Sequence, residues 1–394
     1  MKILIYTDYY KKKSGYAGEF RNLLPHFRGA GHEVAHVALG YNGFPLETGM
    51  KVYPTEISNT KSYWGGDVLQ YAIEDFDPDI VFTIQDYYVL QKIAFEMAHP
   101  GRFKWVHWGL ADGDPLDFTA IEPCRWVHQH VFQTKFAKDV VKDSIPEIDG
   151  SVIYPSVDTN IFKKLDQKGL RKQYKLDGRT VFINVARPQL RKNLPILLEA
   201  FKKVLEELPE AVLIMAIAAS NKPLDPLSDE LIIHDMEKFI PVMGLSESVL
   251  LPKSKDGNPI DDEALNIQYN LADINVLSSW GEGFGLSITE AGAVSVPTIG
   301  VDCSSMTEVI GDRGMAVKPR AFCYTAQGVR QYLVHPADLS SAMVTLARDE
   351  NLLKKTGNSS FDFAQQLTPE SRAKELLQVF KDTVKNDVQP IAKR

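Results

Sequence analysis

Short apolar runs recur along almost the whole chain, and segments with apolar residues at helical spacing separate them. Near the start, residues 2–7 have the composition of a strand, and a loop holding Gly15 and Gly18 follows. Residues 20–30 then have helical spacing, and residues 33–39 form a second strand-like run. Strand, helix and strand in this order predict a βαβ unit. Repetition of the pattern predicts an α/β fold with parallel sheets and helices on both faces.

The alternating strands and helices fall into two series, because residues 156–178 between them are polar and show neither the strand nor the helix pattern. The first series adds strands at residues 80–85, 104–108, 126–133 and 151–154, with helices at 71–76, 89–97 and 135–141. The second series has strands at residues 180–186, 211–219, 248–252, 274–277, 297–301 and 314–318. Its helices are predicted at residues 193–208, 228–243, 261–271, 286–294, 339–348 and 351–366. We therefore predict two domains, residues 1–165 and 166–368, followed by a last helix in residues 369–394.

Composition narrows the class of protein. A length of 394 residues predicts two or three domains, and 44% hydrophobic with 24% charged residues is ordinary for a globular chain. The net charge of −7 does not indicate a nucleic-acid binder. Cys124, Cys303 and Cys323 are scattered, which suits a reducing compartment. No apolar run approaches the roughly 18 residues of a membrane span. We expect a cytoplasmic protein, and peripheral membrane contact stays open.

A glycine-rich loop is the strongest local signal. It opens the stretch from Ser278 to Ala291, which follows an apolar strand and continues into the predicted helix at residues 286–294. Glycines allow the backbone to approach a ligand, and the N-terminus of a helix presents N–H groups to an anion. Glu282 lies in this loop and Glu290 about one turn into the helix, so both carboxylates can border one ligand.

A second signal precedes it in the same half of the chain. Arg187 ends a predicted strand, and Lys192 lies just before the next helix. Arginine offers a planar fork to phosphate oxygens and lysine a mobile point charge. Alone, the pair could be no more than solvated charges beside a helix. Together with the glycine-rich loop, the pair predicts an anion site.

These residues resemble those of the retaining glycosyltransferases of GT-B fold, the glycogen synthase and mannosyltransferase-like "glycosyl transferases group 1". The resemblance rests on Arg187 with Lys192, on the Glu282-Gly283-Phe284-Gly285 loop, and on Glu290. It covers the second half strongly and the first half mainly in architecture. It implies two Rossmann-like domains with parallel sheets facing across a cleft, and a last helix that crosses back to the first domain.

The resemblance implies a role for each matching residue. Arg187 and Lys192 would hold the diphosphate of a nucleotide-sugar and stabilise it as the leaving group. Glu290 would accept hydrogen bonds from the ribose, and Glu282 would face the donor sugar. The other donor contacts that the resemblance implies are the loop backbone at Gly283, Phe284 and Gly285, Leu286 near the ribose or base, Pro252 and Lys253 near the base, and Gly15 near the diphosphate.

The chain departs from the commonest family pattern at the end of one strand in the first half. Many relatives place a histidine there, touching the donor sugar, whereas this chain has Asp112. We prefer Asp112 as the catalytic sugar-facing group, with Asp114 next to it. His107 lies earlier, inside the strand. It could contact the sugar or the acceptor, or it could instead be a packed core histidine. Retaining chemistry in this family is thought to need no protein nucleophile, so none is assigned.

The resemblance implies an enzyme, a hexosyl- or pentosyltransferase, with a UDP-, GDP- or ADP-sugar as donor substrate and no required cofactor or metal. The acceptor stays open among a glycan, a lipid-linked group, a small molecule and a nucleic acid. An epimerase or phosphorylase on the same fold and a non-catalytic nucleotide-sugar-binding protein are the alternatives. The Asp77-Pro78-Asp79 string precedes a strand and is predicted to be a turn rather than a metal site.

One basic and aromatic run stays unassigned. Tyr9-Tyr10-Lys11-Lys12-Lys13 follows the first predicted strand. It could meet an anionic acceptor, such as a lipid phosphate or a nucleic acid, or it could be a solvated loop.

Overall fold

The computed structural model describes residues 1–57, 62–97, 103–217, 235–253, 260–326 and 328–392. Within them the chain forms two compact units. The first comprises Met1–Ser156, Ala326–Val329 and Leu367–Arg394, and the second comprises Val157–Thr325 and Arg330–Gln366. The last helix thus packs within the first unit, although the whole second unit precedes it in sequence.

The first unit is built on a parallel sheet of seven strands in the order β3-β2-β1-β4-β5-β6-β7. Its strands are β1 (Lys2–Asp8), β2 (Glu33–Leu39), β3 (Lys51–Pro54), β4 (Ile80–Ile84), β5 (Lys104–Gly109), β6 (Gln129–Phe132) and β7 (Gly150–Val152). Its helices are α1 (Gly15–Gly29), α2 (Gly66–Phe76), α3 (Tyr87–Glu96), α4 (Phe118–Ile121), α5 (Lys135–Ser144) and, from the end of the chain, α14 (Pro369–Lys385). The central strands are almost wholly apolar because helices cover both faces of the sheet.

Helix α14 completes one face of this sheet. Phe380 is fully buried, with its ring 5.9 Å from that of Phe27 on α1 and 4.9 Å from that of Phe82 on β4. Leu376 and Ala373 on the same helix belong to the same buried cluster. Burying these side chains stabilises the helix far more than its own helix propensity could.

The second unit has a parallel sheet of six strands in the order β10-β9-β8-β11-β12-β13. Its strands are β8 (Val181–Ala186), β9 (Val212–Ile217), β10 (Val249–Leu250), β11 (Ile274–Val276), β12 (Thr298–Val301) and β13 (Gly314–Val317). A separate antiparallel hairpin joins β14 (Ala321–Tyr324) to β15 (Arg330–Leu333). The helices are α6 (Gln167–Gln173), α7 (Leu194–Glu207), α8 (Met236–Val242), α9 (Asp262–Leu271), α10 (Leu286–Ala293), α11 (Ser304–Ile310), α12 (Pro336–Arg348) and α13 (Glu350–Gln365).

The predicted loop at Gly15 and Gly18 is wrong, because both glycines lie in the first turns of α1. Ser14 caps this helix, and its side chain accepts a hydrogen bond from the N–H of Ala17. An N-cap hydrogen bond of this kind offsets the weak helix propensity of the two glycines.

Several short elements had no sequence prediction, namely β3, α4, α6, α11 and the β14–β15 hairpin. Each is short or mixed in polarity, so neither the helical nor the strand period is distinctive. The predicted helix at residues 228–243 is described only from residue 235, and the end of the predicted strand at residues 211–219 also lies outside the described residues. Within the described part, none of the helices combines the length and hydropathy that crossing a bilayer requires.

The Asp77-Pro78-Asp79 string is a turn between α2 and β4, as predicted. Asp77 ends α2 in a left-handed conformation with φ 48°. The backbone N–H of Lys2 donates to the Asp79 carboxylate at 2.8 Å. The string therefore lies where β1 and β4 begin, at the edge of the sheet opposite to their carboxyl ends.

Candidate functional site

The candidate site lies at the carboxyl ends of β8 and β11, which are neighbours in the second sheet. After β8 the chain passes through Arg187 into a short 3-10 turn, Leu190–Lys192, and then into α7. After β11 it enters the glycine-rich loop and then α10. Adjacent parallel strands end at the same edge of a sheet, so the two predicted segments meet there.

Glu282 lies at the centre of the region where the two segments meet. It is only 5% exposed, and Lys192 Nζ lies 2.5 Å from its Oε1. Arg191 Nη1 lies 3.1 Å from its Oε2. Ser279 Oγ donates a further hydrogen bond to Oε1 at 2.5 Å. The structure thus joins the two sequence signals in one cluster, in which two half-buried cations contact one buried carboxylate.

The surroundings keep Glu282 ionised. Burial alone would raise the pKa of its carboxyl group, but the charges of Lys192 and Arg191 outweigh burial, together with the hydrogen bond from Ser279. The net result lowers the pKa to about 2. Both carboxylate oxygens are engaged by protein donors, so Glu282 acts in this structure as a holder of Lys192 and Arg191.

The loop backbone is held from both sides. The N–H of Glu282 donates to Ser304 Oγ at 3.0 Å, and Ser305 Oγ donates to the carbonyl of Glu282 at 2.6 Å. Ser304 adopts φ 48°, a conformation that costs free energy in a residue other than glycine. Arg191 also donates to the carbonyl of Gly281 at 3.0 Å. These bonds fix the loop at the point where it enters α10.

Helix α10 begins at Leu286 after Gly285, which has φ 87°. A Cβ at Gly285 would lie 2.7 Å from Ile288 Cδ1, so both the backbone conformation and the space favour glycine. No side chain caps this N-terminus. Gly283 and Phe284 are buried just before it, and Leu286 is half-buried. The first N–H groups of α10 can therefore serve an anion.

Glu290 lies one turn further along α10 and contacts a different partner. The phenol of Tyr269, on α9, donates to Glu290 Oε2 at 2.7 Å. Burial of the carboxyl group raises its pKa to about 7, against the opposing hydrogen bond from Tyr269, and the nearby Asp262 adds to the rise. Glu290 therefore titrates near neutral pH, unlike Glu282.

Pro252 and Lys253 follow β10, at the outer edge of the same sheet. Pro252 is half-buried and Lys253 is exposed. Lys253 Nζ lies 2.8 Å from Glu237 Oε1 on α8. Two strands, β9 and β8, separate β10 from β11. Pro252 and Lys253 thus lie at the carboxyl ends of the strands, as the site does, but outside the Glu282 cluster.

In the first unit, Gly15 lies at the start of α1, beside the carboxyl end of β1. The N-cap Ser14 donates from its Oγ to Asp8 Oδ2 at 2.5 Å. Gln85, which follows β4, lies with its Nε2 3.5 Å from Asp8 Oδ1. Asp8 thus joins the ends of two adjacent strands, a role that the sequence did not predict.

His107 is fully buried in β5, with its Nδ1 2.9 Å from Thr83 Oγ1. Burial, aided by His130, lowers its pKa to about 3, so the ring is neutral. Because His107 has zero exposure, it presents no ring nitrogen to a ligand in this conformation. This agrees with the packed-core alternative. Asp112 and Asp114 follow β5 and are half-buried.

The sequence missed three partners within this site. Arg191, which lies between Arg187 and Lys192 in the sequence, had no predicted role, although its position beside Lys192 was a usable signal. Ser279 and Tyr269 carried no signal, because a serine and a helical tyrosine are common residues. Their importance follows only from which carboxylate each one contacts.

Comparison with known proteins identifies the second unit. Residues 166–350 match the sequence model of the family described as glycosyl transferases group 1. This chain carries a group 1 glycosyltransferase domain. The predicted likeness to group 1 glycosyltransferases is thereby confirmed for residues 166–350. Arg187, Lys192, Glu290 and the Glu282-Gly283-Phe284-Gly285 loop, on which the resemblance rested, lie inside the matched range.

Solved structures extend the likeness to the fold of both units. Sucrose-phosphate synthase from Thermosynechococcus elongatus superimposes with a TM-score of 0.77 at 14% identity, covering 98% of this chain and 100% of that chain. HepE from Anabaena, solved in complex with UDP and glucose, gives a TM-score of 0.72 at 16% identity, covering 97% and 100%. The predicted GT-B fold is confirmed.

One curated relative of the group 1 glycosyltransferase domain is mannosylfructose-phosphate synthase of Agrobacterium fabrum. It is 28% identical over 151 residues, which make up 38% of this chain and 31% of that protein. The match therefore spans about a third of the relative's length.

Proposed function

We propose that this protein transfers a sugar from a nucleotide-sugar to an acceptor with retention at the anomeric carbon. The observation that carries the proposal is the pairing of Lys192 and Arg191 with buried Glu282, which lies in the loop before the uncapped N-terminus of α10. A group 1 glycosyltransferase domain contains all of these residues.

The cluster suits a diphosphate leaving group. Cleavage of the bond between the sugar and the phosphate builds negative charge on the diphosphate. Cations and helix N–H groups that are fixed before the reaction stabilise this charge most in the transition state. Lys192 has three N–H donors, so it can contact both Glu282 and a phosphate oxygen. Arg187, at the end of β8, would supply a second phosphate contact.

The two glutamates take different roles in this proposal. Glu282, whose pKa is lowered to about 2, is ionised at neutral pH and holds Lys192 and Arg191 in place, while its loop borders the donor sugar. Glu290 lies a turn into α10 and would accept hydrogen bonds from the ribose hydroxyls. The backbone at Gly283, Phe284 and Gly285 would approach the sugar and the phosphates.

We propose a UDP-sugar as the first donor to test, since HepE was solved with UDP and glucose. In the first unit, Asp112 would face the donor sugar, with Asp114 beside it, and Gly15 would lie near the diphosphate. No metal ion is needed in this scheme, because cationic side chains neutralise the leaving group. Activity that disappears with EDTA and returns with Mg²⁺ or Mn²⁺ would contradict the metal-free mechanism.

The test is a thermal-shift screen with UDP-, GDP- and ADP-glucose. A donor at a hundred times its Kd should raise Tm by about 5–10 °C, because it binds only the folded state. Lys192→Met should abolish the shift, and Glu290→Ala should reduce it. Lys354→Met, a change at an exposed lysine of α13, is the matched control and should keep it. Shifts of equal size in all four proteins would refute the assignment of the site.

A further inference from the structure

An apolar tip in the first unit plays no part in the proposed transfer. It consists of Phe44, Pro45 and Leu46, in the loop between β2 and β3. Phe44 is 76% exposed and Leu46 is 80% exposed. A single exposed apolar side chain is ordinary, but two large ones side by side form a patch that favours an interaction.

The tip stands on a well-packed base. The rings of Tyr9 and Tyr41 stack with centroids 4.2 Å apart, and both residues are buried. Tyr41 donates from its hydroxyl to the carbonyl of Pro45 at 2.6 Å. The N–H of Phe44 donates to Asn42 Oδ1 at 3.0 Å. The loop is thus fixed in the conformation that displays Phe44 and Leu46.

Glu47, next to the tip, ties the loop to the basic run after β1. Its carboxylate accepts hydrogen bonds from the hydroxyls of Tyr9 and Tyr10. Lys11 Nζ lies 2.8 Å from its Oε1. The Glu47 side chain is only 7% exposed, whereas that of Lys11 is 50% exposed. The negative charge is therefore beneath the surface and the positive charge is on it.

The border of the tip is basic. Lys12 Nζ lies so close to Gly40 that a Cβ there would overlap it, so this lysine runs beside the same loop. Arg21 donates to the carbonyls of Tyr10 and Lys12. Lys11 and Lys12 are the lysines placed beside this loop, and the carboxylates near them are Glu47 and Glu56. Lys13, the next residue of the basic run, is exposed, and Arg21 is bonded to the backbone of the same run. This local excess of positive charge contrasts with the net charge of −7 of the whole chain.

We infer that the tip and its lysines dock the first unit on an anionic lipid surface. Phe44 and Leu46 would enter the boundary between headgroups and acyl chains, and Lys11, Lys12 and Lys13 would meet lipid phosphates. The charge complementarity selects an anionic membrane over a neutral one. Because the tip follows the carboxyl end of β2, docking turns the ligand-binding edge of the first sheet towards the lipid.

The test is sedimentation of the full chain with phosphatidylcholine vesicles, with and without phosphatidylglycerol. We expect binding only to the anionic vesicles, weakening as salt is added. The double variant Phe44→Ser/Leu46→Ser should lose at least about tenfold in partitioning, from the lost apolar burial. The triple variant Lys11→Gln/Lys12→Gln/Lys13→Gln should lose more, since each lysine near the surface contributes about fivefold.

Val242→Ser is the matched control, because Val242 is 86% exposed but lies on α8 in the second unit. It should bind as the unchanged protein does, and thermal melts verify that every variant is folded. Absence of binding to anionic vesicles overturns the proposal. So does binding that the tip variants leave unchanged, and so does a tip variant that alters only the oligomeric state, which would indicate a protein partner.

Discussion

Glu282 shows how one buried residue can position the charged side chains of a site. A buried carboxylate is costly unless cations and hydrogen bonds compensate it. Here Lys192 and Arg191 compensate it, and in return the carboxylate fixes both cations beside α10. Burying these charges costs desolvation free energy. We therefore expect the pairing to position the two cations and to add little net stability.

Removing one partner should therefore cost more than removing both. We expect Lys192→Met to lower the free energy of unfolding by on the order of 3 kcal/mol, since it leaves a buried charge undercompensated. Lys192→Met/Glu282→Gln should be less destabilised, as measured by chemical denaturation. In the unchanged protein the depressed pKa contributes stability that is present above pH 4.5 and lost as pH falls through about 2. A double variant less stable than Lys192→Met would contradict this account.

Glu290 predicts a pH dependence of donor binding. Its pKa of about 7 leaves the carboxyl group mostly protonated at pH 6 and mostly ionised at pH 8. If the ionised form accepts the ribose hydrogen bonds, Kd for the donor should fall by up to about tenfold over this range. Calorimetry should also show proton release on binding at pH 6. Glu290→Gln should flatten the profile, and an unchanged profile in that variant would assign the titration to another group.

At the scale of elements, α10 is held in place by close packing on α13. A Cβ at Gly292 would lie 2.9 Å from the carbonyl oxygen of Ser360, and one at Gly357 would lie 2.5 Å from that of Ser295. Backbone atoms on both sides leave little room to adjust. The position of the glycine-rich loop thus depends on the packing of two glycines that lie outside it.

The same substitution should have opposite effects at two glycines. Gly292→Ala should destabilise by about 1–3 kcal/mol, because the added methyl group forces α10 from α13. Gly29→Ala, at the end of α1, meets nothing within 4 Å and should be neutral or stabilising by up to about 1 kcal/mol. Thermal melts measure both changes, and equal shifts would show that the packing of α10 tolerates a side chain.

The sequence predicted most strands and long helices, because buried parallel strands such as β1 and β4 are unbroken apolar runs. It misplaced the start of α1, where two glycines masked the capping by Ser14. In the site, residue type and spacing indicated Arg187, Lys192, Glu282 and Glu290. They could not show that Glu282 binds Lys192 or that Tyr269 binds Glu290, since both contacts join elements far apart in sequence.

At the scale of the whole molecule, Glu19 joins three distant parts of the first unit. It lies on α1, is 4% exposed, and its Oε2 accepts hydrogen bonds from the N–H and Oγ of Ser156 at 2.9 and 3.1 Å. Arg372, on α14, attracts it electrostatically. Burial outweighs these contacts and raises the pKa of Glu19 to about 7.

This raised pKa predicts that stability falls as pH rises. The folded state holds the Glu19 proton more tightly than the unfolded state, whose ordinary pKa is 4.5. Its contribution is therefore full below pH 4.5 and is lost through about pH 7, by on the order of 3 kcal/mol. Glu19→Gln keeps an acceptor for Ser156 without ionising, so its Tm should drop less between pH 5 and pH 8. An unaltered drop would mean that Glu290 or other groups set the slope.

The place of α14 in the first unit also determines the order in which the two halves can be finished during synthesis. A ribosome releases the seven-stranded sheet first, but Phe380 and Leu376, which seal one of its faces, emerge only after the entire second unit. At about 5–20 residues per second, that face stays uncovered for on the order of ten seconds or more. The half of the protein that is made first is therefore the half that is completed last.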